Sequence, residues 1–329
     1  MIKVKVSVVI PAYNAERTID RCLQSVVTQQ KIDDCEYEIV VVDDASTDGT
    51  KKKIKKYPVR LIDLVYNLGP AAARNRGVKE TKGDIVVFID ADIEIKDRDA
   101  LAKINELFVK RLDIFGVIMI KDKKALNKGL TPKYWALYKY YLWNLPGDFQ
   151  SSFTTERSAV RREVFNKVGY FNEKYKKADV EDFEFGYRLD KFDLKVLIAR
   201  DIKVLHHFET FVQSIKKIIK RSWQWIRLFI RRKKFDPVYS SRERGVKTLI
   251  ASTLPVFVIL SVFQHGAIYL LVLALSIYLF YSVGFYFFLL KERQVLWILP
   301  FLLLDILFCT LTVVGAGASV INYLVTKNE

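Results

Sequence analysis

Three carboxylates close one of the most apolar stretches of the soluble half of the chain. In GDIVVFIDADIEI, Gly83–Ile95, the run Ile85–Ile89 has the β-branched, apolar character of a buried central strand, and Asp90, Asp92 and Glu94 follow two residues apart. On an extended chain all three side chains point to one side. Like charges so placed repel, which calls for a cation between them. Hard carboxylate oxygens suit Mg²⁺ or Mn²⁺, and such an ion can also bridge a diphosphate. Arg74 and Arg76, in the segment before, can add charge-assisted bonds to the same phosphates. Two further acidic groups stand out: Asp43–Asp44 after the apolar EIVVV, and Glu181, Asp182 and Glu184 in VEDFEFGYRL. The first reads equally as a turn with a helix cap, and the second as the charged start of an amphipathic helix. His206 and His207 close the strand-like LKVLIARDIKVL.

The elements that must position these groups alternate. VKVSVVIPAYN reads as a strand ending at Pro11, with Asn14 able to cap the next helix. In that helix Ile19, Cys22, Leu23, Val26 and Val27 fall on one face. A strand over Glu38–Val42, a basic helix, the strand VRLIDLV, a helix opening near Pro70, and the Ile85–Ile89 strand follow. Such alternation predicts parallel β–α–β units in a doubly wound, mostly parallel open sheet. Ligands bind at the C-terminal ends of such strands, where Tyr13–Asn14, Asp43–Asp44 and Asp90 with Asp92 would converge. Neither G-x-G-x-x-G after the first strand nor G-x-x-x-x-G-K-[ST] occurs, so a glycine loop does not cradle the phosphate.

The chain has 329 residues and a net charge of +16, which points to a polyanionic partner such as phosphate, nucleic acid or an anionic membrane. The location of the charge selects among them. Between Ile215 and Lys234 lie nine Lys or Arg and no acid. Ile215, Ile218, Ile219, Trp223, Ile226, Phe229 and Ile230 share one helical face there, opposite Lys216, Lys217, Lys220, Arg221, Gln224 and Arg227, the pattern of a helix lying on anionic lipid. Three apolar segments follow, Val246–Phe263, Gly266–Leu290 and Val295–Val325, separated only by QHG and KERQ. About 20 such residues cross a bilayer, so three spans are expected, the first, with Pro255, alternatively re-entrant. Basic residues before the first span and between the second and third place both on the cytoplasmic side and the C-terminus outside. Met1–Pro11 reads as a strand rather than a signal peptide, which keeps the N-terminal part in the cytoplasm. The expected organisation is a cytoplasmic catalytic domain over 1–210, an interfacial helix and linker over 211–245, and membrane helices over 246–325. Cys22, Cys35 and Cys309 show no metal spacing and read as reduced thiols.

The order VSVVIPAYNAERTIDRCLQSVVTQ, EIVVVDDASTDGT, NLGPAAARNRGV, GDIVVFIDADIEI resembles the family-2 glycosyltransferases of GT-A fold over Val4–Ile95, and more loosely from Thr154 to Val196. The resemblance implies that Pro11, Tyr13 and Asp44 border the nucleotide of a nucleotide-diphosphate sugar. It makes Asp90, Ala91 and Asp92 the D-x-D that holds the donor ribose and a Mn²⁺ or Mg²⁺ ion, with Glu94 a further metal ligand. It gives Asp182 the role of catalytic base, with Glu181 orienting the acceptor or raising the Asp182 pKa. A late histidine, His206 in preference to His207, joins the metal or diphosphate. Inverting transfer to a hydroxyl needs a carboxylate opposite the leaving diphosphate, which suits Asp182.

The reading that results is a metal-dependent inverting transferase at the cytoplasmic membrane face, moving a sugar to a hydroxyl of a lipid-linked or glycolipid acceptor. KRSWQWIR has the tryptophan but not the order of the Q-x-x-R-W motif of processive relatives, which argues against a polymerase. A polyprenyl-phosphate sugar synthase ranks second, because its phosphate acceptor needs no base and Ala15 stands where those enzymes place Glu. A non-catalytic basic protein binding membrane or nucleic acid ranks last, because acids gathered at three strand ends repel a nucleic acid. The aromatic segment Lys133–Phe149 reads as an acceptor lid, a membrane contact or an ordinary packed helix.

Overall fold

The computed structural model describes residues 4–30, 35–145, 147–150, 152–175, 180–232 and 241–326, with backbone alone at 4, 35–36, 227–232 and 326. The chain forms two compact units, Met1–Leu126 with Trp143–His207, and Asn127–Leu142 with Phe208–Glu329.

In the first unit the order is β1 (Val4–Ala12), α1 (Ile19–Val27), β2 (Cys35–Asp43), α2 (Thr50–Ile54), β3 (Arg60–Asp63), α3 (Pro70–Glu80), β4 (Ile85–Ile89), β5 (Ile93–Ile95), α4 (Ala100–Lys110) and β6 (Ile114–Ala125). Helix α5 (Leu130–Trp143) then belongs almost wholly to the second unit, and the chain returns through β7 (Phe149–Gln150), β8 (Arg157–Arg161), α6 (Glu163–Val168), α7 (Glu181–Lys191) and β9 (Lys195–His206). The strands lie in the order β3-β2-β1-β4-β8-β6-β9-β5, with β7 on β9. The four strands β3, β2, β1 and β4 are parallel, as the β–α–β alternation predicts. Beyond them the sheet is mixed: β8 runs antiparallel to β4 and β6, while β6 and β9 are parallel.

Alternating residues divide the two faces. Val6, Val8 and Ile10 of β1 and Ile85, Val87 and Ile89 of β4 pack with Ile19, Cys22, Leu23 and Val26 of α1 and Leu101, Ile104 and Phe108 of α4. The other face takes α3 so closely that a Cβ on Gly77 would meet Val9 Cγ1 at 2.2 Å. Next to it, Phe88 of β4, Phe165, Phe171 and Phe185 form an aromatic cluster that seats α7; Phe171 and Phe185 ring centres are 4.5 Å apart. A Cβ on Gly186 would lie 2.3 Å from the backbone nitrogen of Phe153. Asp182 is one helical turn before Gly186, so this close approach fixes the carboxylate's position. Asn14 does not cap α1, whose N-cap residue is Thr18; it takes a left-handed conformation and its side chain is used elsewhere.

The second unit is helical: α5, α8 (Phe211–Arg232), α9 (Arg242–Phe263), α10 (Ala267–Lys291) and α11 (Ile298–Thr326), with a 3₁₀ turn at Val295–Trp297. Three segments, Arg242–Phe263, Ala267–Lys291 and Val295–Val325, are long and apolar enough to cross a membrane, and the first is one continuous helix despite Pro255. The aromatic segment is a packed helix as far as Trp143: Tyr134 and Leu137 of α5 sit with Phe285 and Leu289 of α10 and Phe301, Leu304 and Phe308 of α11. Part of the α8 face expected on lipid instead meets α11, where a Cβ on Gly315 would come 2.9 Å from the Ile219 carbonyl oxygen and Ser319 Oγ donates to the Trp223 carbonyl at 2.9 Å. The side chains of Arg227, Phe229 and Ile230 lie outside the described residues, as do residues 233–240.

One acid lies inside the third apolar helix. Asp305 Oδ1 accepts from the Tyr134 hydroxyl (2.7 Å), and Oδ2 from Lys247 Nζ (2.7 Å) and the Tyr278 hydroxyl (2.7 Å). Four helices thus share one carboxylate. Removing one partner of a buried ion pair costs about 3–5 kcal/mol, because the other charge is left unpaired. Asp305→Leu should therefore lower the melting midpoint in detergent sharply, and adding Lys247→Met should recover part of the loss. Equal midpoints for the single and double variants would show that the pair is not coupled. In the first unit, Gly186→Ala should cost about 1–3 kcal/mol through overpacking, read as a lower melting midpoint.

Candidate active site

The turn after β4 organises the site. The Asp90 N–H donates to the Glu156 carbonyl (3.0 Å) and the Ile93 N–H to the Asp90 carbonyl (3.0 Å), so the chain reverses through Asp90, Ala91 and Asp92 instead of continuing extended. The expected row of three carboxylates along one extended strand is therefore corrected: the chain turns between Asp90 and Ile93, and all three carboxylates still act on the Cys22 thiol. Glu94 falls on β5, opposite Leu205 of β9, while Ala91 is buried at the turn. Cys22 of α1 packs beneath, its thiol 3.6 Å from the Asp90 carbonyl, and burial pushes that thiol well up.

Strand register brings a histidine to this turn. Ile93 pairs with His206, and the His207 N–H donates to the Asp92 carbonyl (3.0 Å). His206 Nε2 lies 3.3 Å from Asp92 Oδ2, so His206 supplies the ring and His207 only its backbone. Burial, then the Lys121 charge, push His206 down to about 4, so the ring is neutral near pH 7. Burial works to raise Asp92, but His206 and Lys121 outweigh it and hold that carboxyl below its usual range.

Arg74 is engaged differently from the phosphate contact expected of it. Its Nη2 bonds Asp90 (2.8 Å) and its Nη1 bonds Glu181 (3.0 Å), with the side chain almost wholly buried. Burial disfavours the cation, but Asp90, Glu181 and Asp182 more than offset that. Arg76 points to the outer face and pairs with Glu80 at 2.8 Å. Glu181 is thus buried in an ion pair, and Asp182, at the first turn of α7, accepts the Phe183 N–H at 2.9 Å.

The other two strand ends form a wall. Pro11 sits opposite Val42, and Tyr13 is 51% exposed. Asn14 joins the loops: its Oδ1 accepts the Thr47 N–H (2.9 Å) and its N–H donates to Ser46 Oγ (2.9 Å). Asp43 makes the turn that the alternative reading foresaw, accepting the Ser46 N–H at 2.9 Å. Asp44 accepts the N–H groups of Leu68 and Gly69, both at 2.8 Å, and so holds the loop that leads into α3 and Arg74. Ala45 has φ +60°, a left-handed strain of the kind stored at functional sites.

Sequence reasoning missed Lys121, Glu156 and Arg157. Lys121 is 1% exposed on β6; its Nζ lies 2.8 Å from Glu156 Oε2 and 3.3 Å from His206 Nδ1. Glu156 Oε1 pairs with Arg157. The one signal was a lysine directly after the apolar VIMI, which reads more simply as a strand end.

Among the described residues no three His, Cys, Asp or Glu side chains gather closely enough to hold a metal by themselves. The donor set nevertheless suits a divalent ion. Asp92 Oδ1 is buried with no hydrogen-bond partner, and the neighbouring imidazole is neutral. Mg²⁺-type sites commonly use one or two protein groups and take their remaining ligands from substrate phosphates.

A mixed sheet with an aspartate turn at the C-terminal edge of its parallel half is the architecture of a GT-A glycosyltransferase. The fold is shared with a solved mannosyltransferase, PcManGT from Pyrobaculum calidifontis in complex with GDP-Man and Mn²⁺, at a TM-score of 0.59 and 19% identity over 96% of this chain and 88% of that one. Residues 7–169 match the family model described as Glycosyl transferase family 2, and the N-terminal unit is a family-2 glycosyltransferase domain. The chain is 27% identical to the uncharacterized glycosyltransferase YfnE of Bacillus subtilis, over 61% of its own length and 64% of that protein's. It is also 27% identical to the cholesterol galactosyltransferase of Borreliella burgdorferi, over 67% and 68%. The chain thus spans less than two thirds of the length of the first of these relatives.

The buried neutral His206 gives a pH signature. Its folded pKa lies below the ordinary 6.5, so the unfolded chain takes up the proton first as pH falls. The associated stability is complete above about pH 6.5 and is lost towards about pH 4, up to ~3 kcal/mol. With EDTA present, His206→Gln should lose less melting temperature than wild type between pH 7 and 4.5. Parallel profiles would place the imidazole in contact with water.

Proposed function

We propose that this protein is an inverting glycosyltransferase that moves a sugar from a nucleotide-diphosphate donor to a hydroxyl of a membrane-associated acceptor. The observation that carries the reading is the continuous link from Asp90 through Arg74 to Glu181, which ties the aspartate turn to the helix bearing Asp182. Pro11, Tyr13 and Asp44 border the nucleotide, with the exposed Tyr13 ring offering a stacking surface. Asp92, with His206 beside it, would hold a Mn²⁺ or Mg²⁺ ion. When bound, that ion neutralises charge on the diphosphate as it leaves.

The rest falls to the protein's own side chains. Asp182 accepts the proton of the acceptor hydroxyl as its oxygen attacks the anomeric carbon from the face opposite the diphosphate. Glu181, held by Arg74, keeps the first turn of α7 in place. The three apolar helices and the basic α8 support a lipid-linked or glycolipid acceptor, as does the name of the cholesterol galactosyltransferase relative. By the positive-inside rule the N-terminal unit faces the cytoplasm.

A screen of sugar nucleotides with Mn²⁺ tests this in detergent. Wild type should gain melting temperature with its own donor, and Asp92→Ala should lose most of that gain. Asp182→Asn should keep donor binding and lose about 10²–10⁴-fold in transfer rate. Full-rate transfer by Asp182→Asn would remove the base and favour a phosphate acceptor, which needs none.

A further inference from the structure

Arg157 opens β8 opposite Ile89, directly beside the aspartate turn, whose Asp90 N–H is held by the Glu156 carbonyl. It is 0% exposed. Its Nη1 pairs with Glu156, and its guanidinium lies over the Trp143 ring at 4.6 Å. The two remaining donors, Nε and Nη2, are buried without a hydrogen-bond partner. These N–H groups lie on one edge of the guanidinium and point the same way, the fork that grips two oxygens of one phosphate or carboxylate.

Two observations point to an anion on that edge. Buried donors are almost always met, and an intact pair left unmet calls for a ligand. The local charge agrees: the carboxylate that Arg157 meets, Glu156, is shared with Lys121, so Arg157 has none to itself. Serine or asparagine could satisfy a single stray N–H; a parallel pair on a cation matches an oxyanion.

We propose that the Nε/Nη2 edge of Arg157 is a phosphate-binding site for substrate. This rests on the glycosyltransferase reading, in which phosphate arrives from two sources, the donor diphosphate and the phosphate of a lipid-linked acceptor. Because the edge is enclosed, neighbouring side chains must part on binding.

The test uses the full chain in detergent with EDTA, and calorimetric titration with inorganic pyrophosphate and, separately, farnesyl phosphate. The variants are Arg157→Lys, which keeps the cation but loses the fork, and Arg157→Met, which loses both. Wild type should bind at least one probe, and both variants should weaken that binding about 10-fold or more. Dependence confined to pyrophosphate assigns the donor, and dependence confined to farnesyl phosphate the acceptor. If Arg157→Met does not fold, Arg157→Lys, with its charge retained over Trp143, decides. Folded variants that bind both probes as wild type does would overturn the site and leave Arg157 as a packing partner of Trp143. Wild type that bound neither probe, nor any sugar nucleotide with Mn²⁺, would overturn the transferase reading as well.

Discussion

One buried guanidinium joins two motifs that lie far apart in sequence. Arg74 holds Asp90 with one nitrogen and Glu181 with another, and the second bond spans 107 residues of chain. Arginine suits this place because its planar fork serves two carboxylates at fixed angles, whereas an ammonium on a flexible stem would not fix their separation. Without the cation, two acids would face each other in a poorly hydrated setting. The approach to Arg74 is equally determined. Asp44 clamps Leu68 and Gly69, Pro70 starts α3 at the position where its missing N–H does no harm, and Gly77 lets that helix lie against β1.

From this link the charges around the turn divide into two halves. On one side Asp90 and Glu181 share Arg74, and Asp182 stands next to them, so acid is in excess. On the other, Lys121 and Arg157 meet Glu156 and Asp92 while His206 stays neutral, so a divalent ion would leave that half positive. For the proposed transfer the division has the right sense. A proton moves towards the negative half and an anionic leaving group towards the positive one.

Much of this architecture could be read from residue pattern alone. Ile85–Ile89 is β4 as the apolar run requires, α1 buries the face expected of it, and the three apolar segments are three long helices. The failures share a physical cause. A two-residue period assumes an extended backbone, and it could not register the turn that reverses the chain between Asp90 and Ile93. Asn14 looked like a cap because caps are local, but its partner is Thr47 on another loop. Lys121 was invisible because Glu156, 35 residues on, and His206, 85 residues on, give it meaning only in the folded sheet. The aromatic helix α5 was ambiguous for the same reason, since its partners Phe285, Phe301 and Phe308 come much later in the chain.

The carboxylate shared by four helices bears on how such a chain enters a bilayer. An acid at the centre of a lone apolar helix costs about 2.5–3.5 kcal/mol on insertion scales. Asp305 is in the last of the three apolar helices to be synthesised, after Tyr134, Lys247 and Tyr278. Its proton-donating partners are therefore made before it. In the proposed membrane setting, chain order would give the third helix a prepared docking surface rather than hydrocarbon alone, and the charge that waits for its partner would be Lys247 in the first helix.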